Sequence, residues 1–295
     1  MAKGLRSGVR GNASLFAGAS TTELVRRVVP RAVRNALRRP RLTLTWLVDQ
    51  AAFRLGRTGT CALREGWTVS VHPASVVPFQ LHRDEQELVR EMDAFVTLCR
   101  SGMVLLDVGA HFGVFTLAAL RYGGEAARVV AIEPSAEARR VLEANVRLAG
   151  AADRVVILEA AAGDRDGEVA MLTTGPIAAH YMIGVDTDRP DLTRIPQLTI
   201  SSIVSRTGLV PTHVKIDVEG FEGEVIEGGG AVLARHHPIV LLELHGKLVR
   251  ERGRDPRAVL AKLEALGYRR FERSGQRIET AAAANLDIVR LACFA

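Results

Sequence analysis

The sequence contains few cysteines and no long apolar run, and both absences exclude classes of protein. Its three cysteines, Cys61, Cys99 and Cys293, lie far apart in the 295 residues and form no C-x-x-C or zinc-type spacing. The odd number and wide spacing favour a reduced, intracellular compartment over a disulfide framework. No apolar run approaches the roughly 18 residues of a membrane span, and residues 14–19 (SLFAGA) are too short for a secretory core. We therefore expect a cytoplasmic protein.

The chain has no net positive charge outside the first 60 residues. Residues 1–60 contain twelve lysines and arginines but only two acidic residues, whereas the rest of the chain has a small acidic excess. An enzyme that acts on nucleic acid more often carries its positive charge around the catalytic cleft. The charge distribution therefore argues against a nucleic-acid partner.

The basic segment has a helical pattern of its own. Between residues 24 and 37, leucine, valine and alanine recur at helical spacing with arginines opposite, which predicts a basic amphipathic helix. Its apolar face can pack on the rest of the protein or lie on an anionic membrane surface, and an arginine-rich composition is also found in mitochondrial presequences. We assign residues 1–60 to this extension and residues 61–295 to the main domain.

The main domain alternates strands and helices. Asp84 and Glu87 have the spacing of a capping box and predict a helix from there to about Cys99. Seven strand-like runs follow, separated for the most part by helical segments, which is typical of a mostly parallel sheet covered on both faces. The predicted fold class is therefore α/β, with a doubly wound, seven-stranded sheet. The predicted strands are MVLLDVGA, RVVAIEP, RVVILEAA, HVKIDV, PIVLLEL, YRRFER and DIVRLACFA.

The turn after the first strand is a candidate ligand site, because such sheets bind ligands at the carboxyl ends of strands where the strand order reverses. The strand ends at Asp107 and leads through Gly109 and Gly113 into a helix. Glycines allow a tight turn and a close approach of backbone to ligand. The spacing G-x-x-x-G differs from the G-x-G-x-x-G of dinucleotide enzymes. An acidic residue before the glycines suits a cationic ligand such as the aminocarboxypropyl end of S-adenosylmethionine.

Two further strand ends extend this candidate cofactor site. Glu133 ends the second strand, where an acidic side chain accepts hydrogen bonds from ribose hydroxyls. The third strand ends in EAAAGD, in which small residues including Ala161 leave room for an adenine ring, and Asp164 can accept from its amino group. The alternative for Asp107 and Glu133 is a structural role as caps of the following helices.

From about residue 84 to the C-terminus, the chain resembles the FkbM family of S-adenosylmethionine-dependent methyltransferases. The most specific match is KIDVEGFEGEVIEGG followed by PIVLLELH, and LLDVGAHFGVFT, VVAIEPSAEARRVLEANVRLAG and EAAAGDRDGEV occur in the family's order. The resemblance implies a class I methyltransferase (Rossmann-like) domain with S-adenosylmethionine as cofactor, held at the turn that includes Ala110 and His111. It also implies O-methylation, commonly of a sugar hydroxyl in a glycolipid, polysaccharide or natural product.

Two positions depart from the family. His111 stands where the family usually has asparagine, and a histidine can still donate a hydrogen bond to a cofactor carboxylate. Ser201, in LTISSI, stands where the family usually has an aspartate before the fourth strand. If that aspartate assists chemistry, Ser201 weakens the case for activity; if it only caps a helix, serine replaces it well.

Charged residues gather at the ends of the fourth and fifth strands. Lys215, Asp217 and Glu219 share one side of the fourth strand if it stays extended that far, and Glu243 and His245 share one side of the fifth. Methylation of a hydroxyl needs a base, and Asp217 or His245 can take the proton. We therefore predict that these five residues form the catalytic cluster.

The same cluster allows two other interpretations. Lys215 can form a buried ion pair with Asp217 or Glu243 that holds the strands in register. The carboxylates and His245 also form a conceivable divalent-metal site, but oxygen-rich clusters often arise without a metal, and we expect none. The long polar stretch before the fourth strand is predicted to cover the cleft, with His180 and Tyr181 near an acceptor.

Two other functions remain open at this stage. A nicotinamide-dependent oxidoreductase would require a pyrophosphate-binding turn, which the sequence lacks. A protein that binds the cofactor without turnover, acting as a partner of other proteins, would keep the same motifs. No N-P-P-Y element follows the fourth strand, which argues against methylation of a nucleobase amino group.

Overall fold

The computed structural model describes residues 40–172, 181–183 and 192–295. The predicted amphipathic helix of residues 24–37 and His180 lie outside this range. No helix within it is long and apolar enough to cross a membrane. The helices are α1 (Pro40–Arg54), α2 (Val76–Asp84), α3 (Gln86–Leu98), α4 (Val114–Tyr122), α5 (Ala136–Leu148), α6 (Ile200–Thr207), α7 (Glu222–Gly228), α8 (Gly230–His236), α9 (Gly246–Glu251), α10 (Pro256–Ala265) and α11 (Thr280–Ala284). The strands are β1 (Gly59–Arg64), β2 (Trp67–Val71), β3 (Val104–Val108), β4 (Arg128–Ile132), β5 (Val155–Leu158), β6 (Ala161–Ala162), β7 (Gly167–Leu172), β8 (Tyr181–Ile183), β9 (Leu192–Leu198), β10 (His213–Ile216), β11 (Ile239–Leu244), β12 (Arg270–Arg273), β13 (Gln276–Arg277) and β14 (Val289–Phe294).

The central sheet contains the seven predicted strands and one more. Its order is β13-β12-β14-β11-β10-β3-β4-β5. The five strands from β11 to β5 run parallel, whereas β14 runs antiparallel to both of its neighbours. The additional strand, β13, has two residues and forms a hairpin with β12 at the edge. The predicted α/β class and doubly wound topology are confirmed.

The strand order reverses beside β3. From β3 the chain proceeds to β4 and β5 on one side, and later returns to β10 and β11 on the other. The parallel register places Lys215 opposite Asp107 and Ile216 opposite Val108. The carboxyl ends of β3, β4 and β10 therefore meet at the switch point, the position where such sheets bind ligands.

One face of the sheet carries the polar groups of the candidate site. Leu105 and Leu241 belong to the hydrophobic core on this face, which is covered by α2, α3 and α4. Because side chains alternate along a strand, Asp107, Lys215 and Glu243 project toward the same face. The site therefore lies between the sheet and these three helices.

Two smaller sheets were not predicted. β1 and β2 form a hairpin, and β6, β9, β7 and β8 form a four-stranded sheet in the region expected to be a polar insertion. β9 contains Pro196, a residue that argues against a strand in sequence reasoning. Tyr181 begins β8, and its contact with an acceptor stays a prediction. The predicted domain boundary at residue 60 falls inside β1.

The predicted capping box is wrong. α3 begins at Gln86 with Glu85 as its N-cap residue, and no side chain caps the helix. Asp84 and Glu87 instead form exposed ion pairs with neighbouring arginines. α3 nevertheless covers most of the predicted range, because its apolar residues recur at helical spacing and form a buried face.

The helical segment after the fourth predicted strand is divided into α7 and α8. The break lies at two closely packed glycines: a Cβ at Gly228 would lie 2.0 Å from the Gly163 carbonyl oxygen, and one at Gly229 would lie 2.9 Å from the Ile200 side chain. The glycines therefore permit a close approach between α7 and the segment after β6.

Candidate active site

A cleft of about 350 Å³ lies at the carboxyl ends of β3, β4 and β10. Its floor contains Asp107, Glu133, Lys215 and Asp217, and α2 contributes one wall. The predicted cofactor and catalytic residues therefore share one cleft to a large extent. One end of the cleft is formed by β3 and β4, and the other by β10 and β11.

Asp107 is buried at the end of β3. Its carboxylate accepts a hydrogen bond of 2.6 Å from the Thr116 hydroxyl on α4. Burial raises the pKa of Asp107 to about 6, although the hydrogen bond from Thr116 opposes the rise. Asp107 lines the cleft, so it provides a carboxyl group in a fixed position there.

The two predicted glycines bring protein elements together. Gly109 has φ +84°, and a Cβ there would lie 1.9 Å from the Asp217 carbonyl oxygen. Gly113 has φ +86°, and a Cβ there would lie 2.3 Å from Leu142 on α5. Both positions therefore require glycine for conformation and for packing. Gly109 lines the cleft and fixes the end of β10 against the turn after β3.

Glu133 is oriented by two backbone donors. One carboxylate oxygen accepts from the His111 N–H at 2.8 Å and the other from the Ser135 N–H at 2.7 Å. Burial raises the pKa of Glu133 to about 7, although these two hydrogen bonds oppose the rise. Each oxygen keeps a lone pair that a ligand hydroxyl can use. Ala110 and His111 line the cleft beside Glu133.

The third strand end contributes small residues but not the predicted carboxylate. Ala161 lies in β6 and lines the cleft together with its two alanine neighbours. Asp164 lies outside the cleft lining, where its carboxylate accepts from Gln197 at 3.3 Å and pairs with Arg165 at 3.3 Å. Its predicted contact with an adenine amino group stays a prediction.

The other end of the cleft brings the five predicted catalytic residues together. The backbone N–H of Asp217 donates to the Val108 carbonyl at 3.0 Å, so the chain stays beside β3 one residue beyond β10. At Glu219 the backbone turns, with φ +53°. The His245 Nε2 lies 3.8 Å from Asp217, 3.6 Å from Glu219 and 3.7 Å from Glu243.

Lys215 is the cation at the centre of this end. Its Nζ lies 3.0 Å from Glu91 on α3, 3.8 Å from Asp217 and 3.7 Å from Glu243. Burial lowers the pKa of Lys215, but the attraction of these three carboxylates outweighs burial and raises it. Arg290 on β14 completes the network by binding Glu91 at 3.0 Å and Glu243 at 2.5 Å.

His245 is held from behind the cleft. Its Nδ1 lies 2.8 Å from the fully buried Glu222, whose same oxygen also accepts from the Gly220 N–H at 2.9 Å. Burial lowers the pKa of His245, but the hydrogen bond to Glu222 and the attraction of Asp217 and other carboxylates raise it to about 9. The ring is therefore an imidazolium at neutral pH, and its Nε2 points toward three carboxylates.

The family model for the methyltransferase FkbM domain matches residues 107–270, which is more than half of the chain. The chain belongs to the FkbM methyltransferase family. This finding confirms the resemblance drawn from the sequence motifs.

Solved structures with a similar fold include an FkbM methyltransferase from Methylobacillus flagellatus KT, at 16% identity and a TM-score of 0.46 over 74% of this chain and 52% of that one. This chain thus spans about half the length of that FkbM protein. A putative rRNA methylase from Clostridium thermocellum (13% identity, TM-score 0.42, 71% and 96% covered) and an S-adenosylmethionine-dependent O-methyltransferase from Thermotoga maritima (12%, 0.40, 70% and 64%) are also similar. No curated protein matches the chain. Likenesses at this level do not identify the acceptor.

The FkbM position occupied by Ser201 is structural in this chain. The Ser201 hydroxyl donates to the Gly228 carbonyl at 3.1 Å and thereby connects α6 to α7. The N-cap of α6 is Thr199, whose side chain accepts from the Ser202 N–H. Ser201 is not part of the cleft lining, so the absence of an aspartate here leaves the described charge cluster intact.

Several residues of this FkbM site were missed in the sequence. Glu91 and Arg290 were missed because they lie far from the motifs along the chain, although a lone arginine in the apolar run DIVRLACFA was a usable signal. Glu222 lies within the motif itself but was not paired with His245. Phe79 and His82 enter the cleft from α2, a helix that was not predicted.

The cluster also has the donor set of a cation site. Asp217, Glu243 and His245 each offer one ligand atom, and these atoms lie within 4.8 Å of one another. The Lys215 ammonium lies between the two carboxylates, at 3.8 and 3.7 Å. Lys215 therefore supplies positive charge where a metal ion would otherwise balance these acids.

We expect the stability of this FkbM protein to depend on pH through His245. A histidine with a folded-state pKa above its unfolded value stabilises the fold fully below about pH 6.5, and the contribution is lost as pH rises through about 9. A rise of this size corresponds to about 3 kcal/mol. The excess stability of wild type over His245→Gln should therefore shrink across this window in urea unfolding. Glu222→Gln should flatten the profile in the same way, and an unchanged pH profile in both variants would contradict the assignment.

Proposed function

We propose that this protein is an S-adenosylmethionine-dependent O-methyltransferase that methylates a hydroxyl of a sugar in a glycolipid, polysaccharide or natural product. The observation that carries the proposal is the arrangement of one cleft. At one end, Glu133 is oriented by two backbone N–H groups. At the other, the half-buried Asp217 carboxylate lies beside two cations, Lys215 and His245, at 3.8 Å each.

The residues at the first end fit the cofactor. Glu133 has free lone pairs for a ribose diol, and the alanines of residues 160–162 leave room beside β5 for a flat ring. Asp107 suits the cationic amino acid end. When bound, S-adenosylmethionine supplies a methyl group on an electrophilic sulfonium. A pyrophosphate would meet two carboxylates here and no glycine-rich cradle, which disfavours the nicotinamide alternative.

The residues at the second end support removal of a proton from an alcohol. Asp217 is about one-third exposed and lines the cleft, so an acceptor hydroxyl can reach its oxygen. The carboxylate would take the hydroxyl proton as the hydroxyl oxygen bonds the methyl carbon and the bond from that carbon to sulfur breaks, which leaves S-adenosylhomocysteine. It would return the proton to water afterwards. His245 is already protonated at neutral pH and does not line the cleft. We therefore assign proton acceptance to Asp217, and to His245 the role of a cation that positions Asp217 and Glu219.

The acceptor is proposed to be neutral. The ionic groups at this end pair with one another, as Lys215 with Glu91 and Arg290 with Glu243. Apolar side chains of Phe79 and Phe115 form the adjacent wall. Sugar hydroxyls can exchange hydrogen bonds with such carboxylates and pack their C–H faces on aromatic rings, whereas an anionic acceptor would meet repulsion.

Glu133→Gln should weaken binding of S-adenosylmethionine. The glutamine amide has only one oxygen, and its NH₂ group faces a backbone N–H donor. The ribose therefore loses an oriented hydrogen-bond acceptor in a closed site. We expect a loss of about 1–3 kcal/mol in binding free energy, measured by calorimetry. Glu168→Gln, at an exposed glutamate of β7 outside the cleft, is the matched control. Equal affinities for both variants and wild type would remove Glu133 from the cofactor site.

Product analysis tests the reaction. The full-length protein is incubated with methyl-labelled S-adenosylmethionine and a panel of neutral glycans and hydroxylated natural products. The proposal predicts one labelled O-methyl group for each S-adenosylhomocysteine formed. Label on nitrogen or carbon would contradict O-methylation. Cofactor binding without transfer to any acceptor would instead favour the non-catalytic partner protein.

A further inference from the structure

Helix α1 exposes large apolar side chains on one of its sides. Leu44, Leu47, Val48 and Leu55 are 63%, 58%, 57% and 80% exposed. The spacings of three and four residues place Leu44, Leu47 and Val48 on one side of the helix, and Leu55 comes directly after its last residue, Arg54. We call these four residues the outer face of α1. A typical surface helix keeps its large apolar side chains toward the core, so this face needs an explanation.

The opposite side anchors α1 to the protein. The Trp46 ring stacks on His72 at 6.3 Å and on Phe112 at 6.5 Å, and the Phe53 ring lies 4.5 Å from His72. Phe112 lines the cleft. The direction in which the outer face points is therefore fixed by packing against the cleft wall.

A neighbouring helix repeats the feature. α2 follows directly after the short helix Pro73–Ser75, which packs against α1. Val77 and Leu81, one turn apart on α2, are also exposed, while Phe79 and His82 of the same helix line the cleft. Exposed apolar groups thus occur on α1 and also on α2, a helix that lines the cleft.

Basic residues accompany the outer face of α1. Arg41 precedes it by one turn, and Arg54 and Arg57 follow it; all three are exposed. The sequence of residues 1–60 contains twelve basic and two acidic residues. Apolar side chains with surrounding arginines match an interface of acyl chains and anionic headgroups. A symmetric dimer through this face would instead bring two such basic segments together, which like-charge repulsion disfavours.

We propose that the outer face of α1 docks on an anionic lipid bilayer. Leu44, Leu47, Val48 and Leu55 enter the boundary between headgroups and acyl chains, and Arg41, Arg54 and Arg57 bind the headgroups. This surface is independent of the catalytic residues, so membrane binding and methyl transfer are separate properties.

Vesicle sedimentation of the full-length protein tests the proposal. Vesicles of phosphatidylcholine with phosphatidylserine should bind wild type, and binding should fall at high salt and on vesicles of phosphatidylcholine alone. The double variant Leu44→Ser, Leu47→Ser should partition at least about 10-fold less, because two large apolar groups are lost from the interface. The double variant Val210→Ser, Ile288→Ser, at exposed apolar residues elsewhere, is the control and should bind as wild type does.

Three results would overturn the proposal. One is that wild type shows no preference for anionic vesicles, and another is that both double variants partition equally. A wild-type dimer that dissociates on Leu44→Ser, Leu47→Ser in light scattering would assign the face to a second copy of the chain. Because the substituted leucines are exposed, melting temperatures of the variants should match wild type, which separates loss of binding from loss of folding.

Discussion

Asp217→Asn should lower the rate of methyl transfer by roughly 10²–10⁴, the usual contribution of a positioned base. The amide keeps the shape of the side chain but cannot take up a hydroxyl proton. Affinity for S-adenosylmethionine should remain close to wild type, because cofactor binding is assigned to Asp107 and Glu133 and not to Asp217. Single-turnover kinetics and calorimetry measure the two quantities separately.

Two comparisons make the assignment of Asp217 testable. Asp153→Asn, at an exposed turn, is the matched control and should retain full activity. If His245 were the base, the rate of wild type would rise as pH increases through about 9, where that ring loses its proton. Full activity of a folded Asp217→Asn protein would contradict the role given to Asp217. So would a wild-type rate that rises as pH increases through about 9, if this rise disappeared in His245→Gln.

Lys215→Met should strongly destabilise the fold. The substitution removes a buried ammonium from among three carboxylates, and removal of one partner of a buried ion pair costs about 3–5 kcal/mol. For a domain of this size we expect a fall in melting temperature on the order of 10 °C. Differential scanning fluorimetry provides the measurement, with chemical denaturation to confirm the change in unfolding free energy.

The origin of that destabilisation can be checked within the network. Glu91 lies closest to Lys215, at 3.0 Å, so Glu91→Gln added to Lys215→Met should restore part of the stability. Lys262→Met removes a lysine from a more exposed ion pair with Glu227 and should cost at most about 1 kcal/mol. If Lys215→Met and Lys262→Met melted at the same temperature, the buried network would not stabilise the fold.

The sequence predicted the central sheet well because its signals were local. Continuous apolar runs predicted the seven long strands, and period-two alternation predicted that Lys215, Glu243 and their neighbours converge. The parallel register then fixes Lys215 opposite Asp107. The backbone hydrogen bond of Asp217 keeps the chain extended one residue beyond β10. At Glu219 the backbone turns, yet the Glu219 side chain still reaches His245.

The partners of these groups depended on tertiary packing. Glu91 reaches Lys215 from α3, and Arg290 reaches Glu243 from the antiparallel strand β14. Neither position follows from local spacing. The protonation of His245 depends on its hydrogen bond to Glu222 in α7. The sequence pattern does not predict that Glu222 is buried. The four-stranded sheet was missed because Pro196 and polar residues obscure the strand pattern.

Titration of the full-length protein with S-adenosylmethionine, compared with titration with a nicotinamide dinucleotide, tests the central claim most directly. Among the described residues, the cleft has a Glu133 carboxylate oriented by backbone donors, an acidic β3 end and no G-x-G-x-x-G turn for a pyrophosphate. It should therefore bind S-adenosylmethionine saturably at one molecule per chain, with S-adenosylhomocysteine competing and the dinucleotide giving no heat. Absence of S-adenosylmethionine binding to folded protein, or tighter binding of the dinucleotide, would contradict the account.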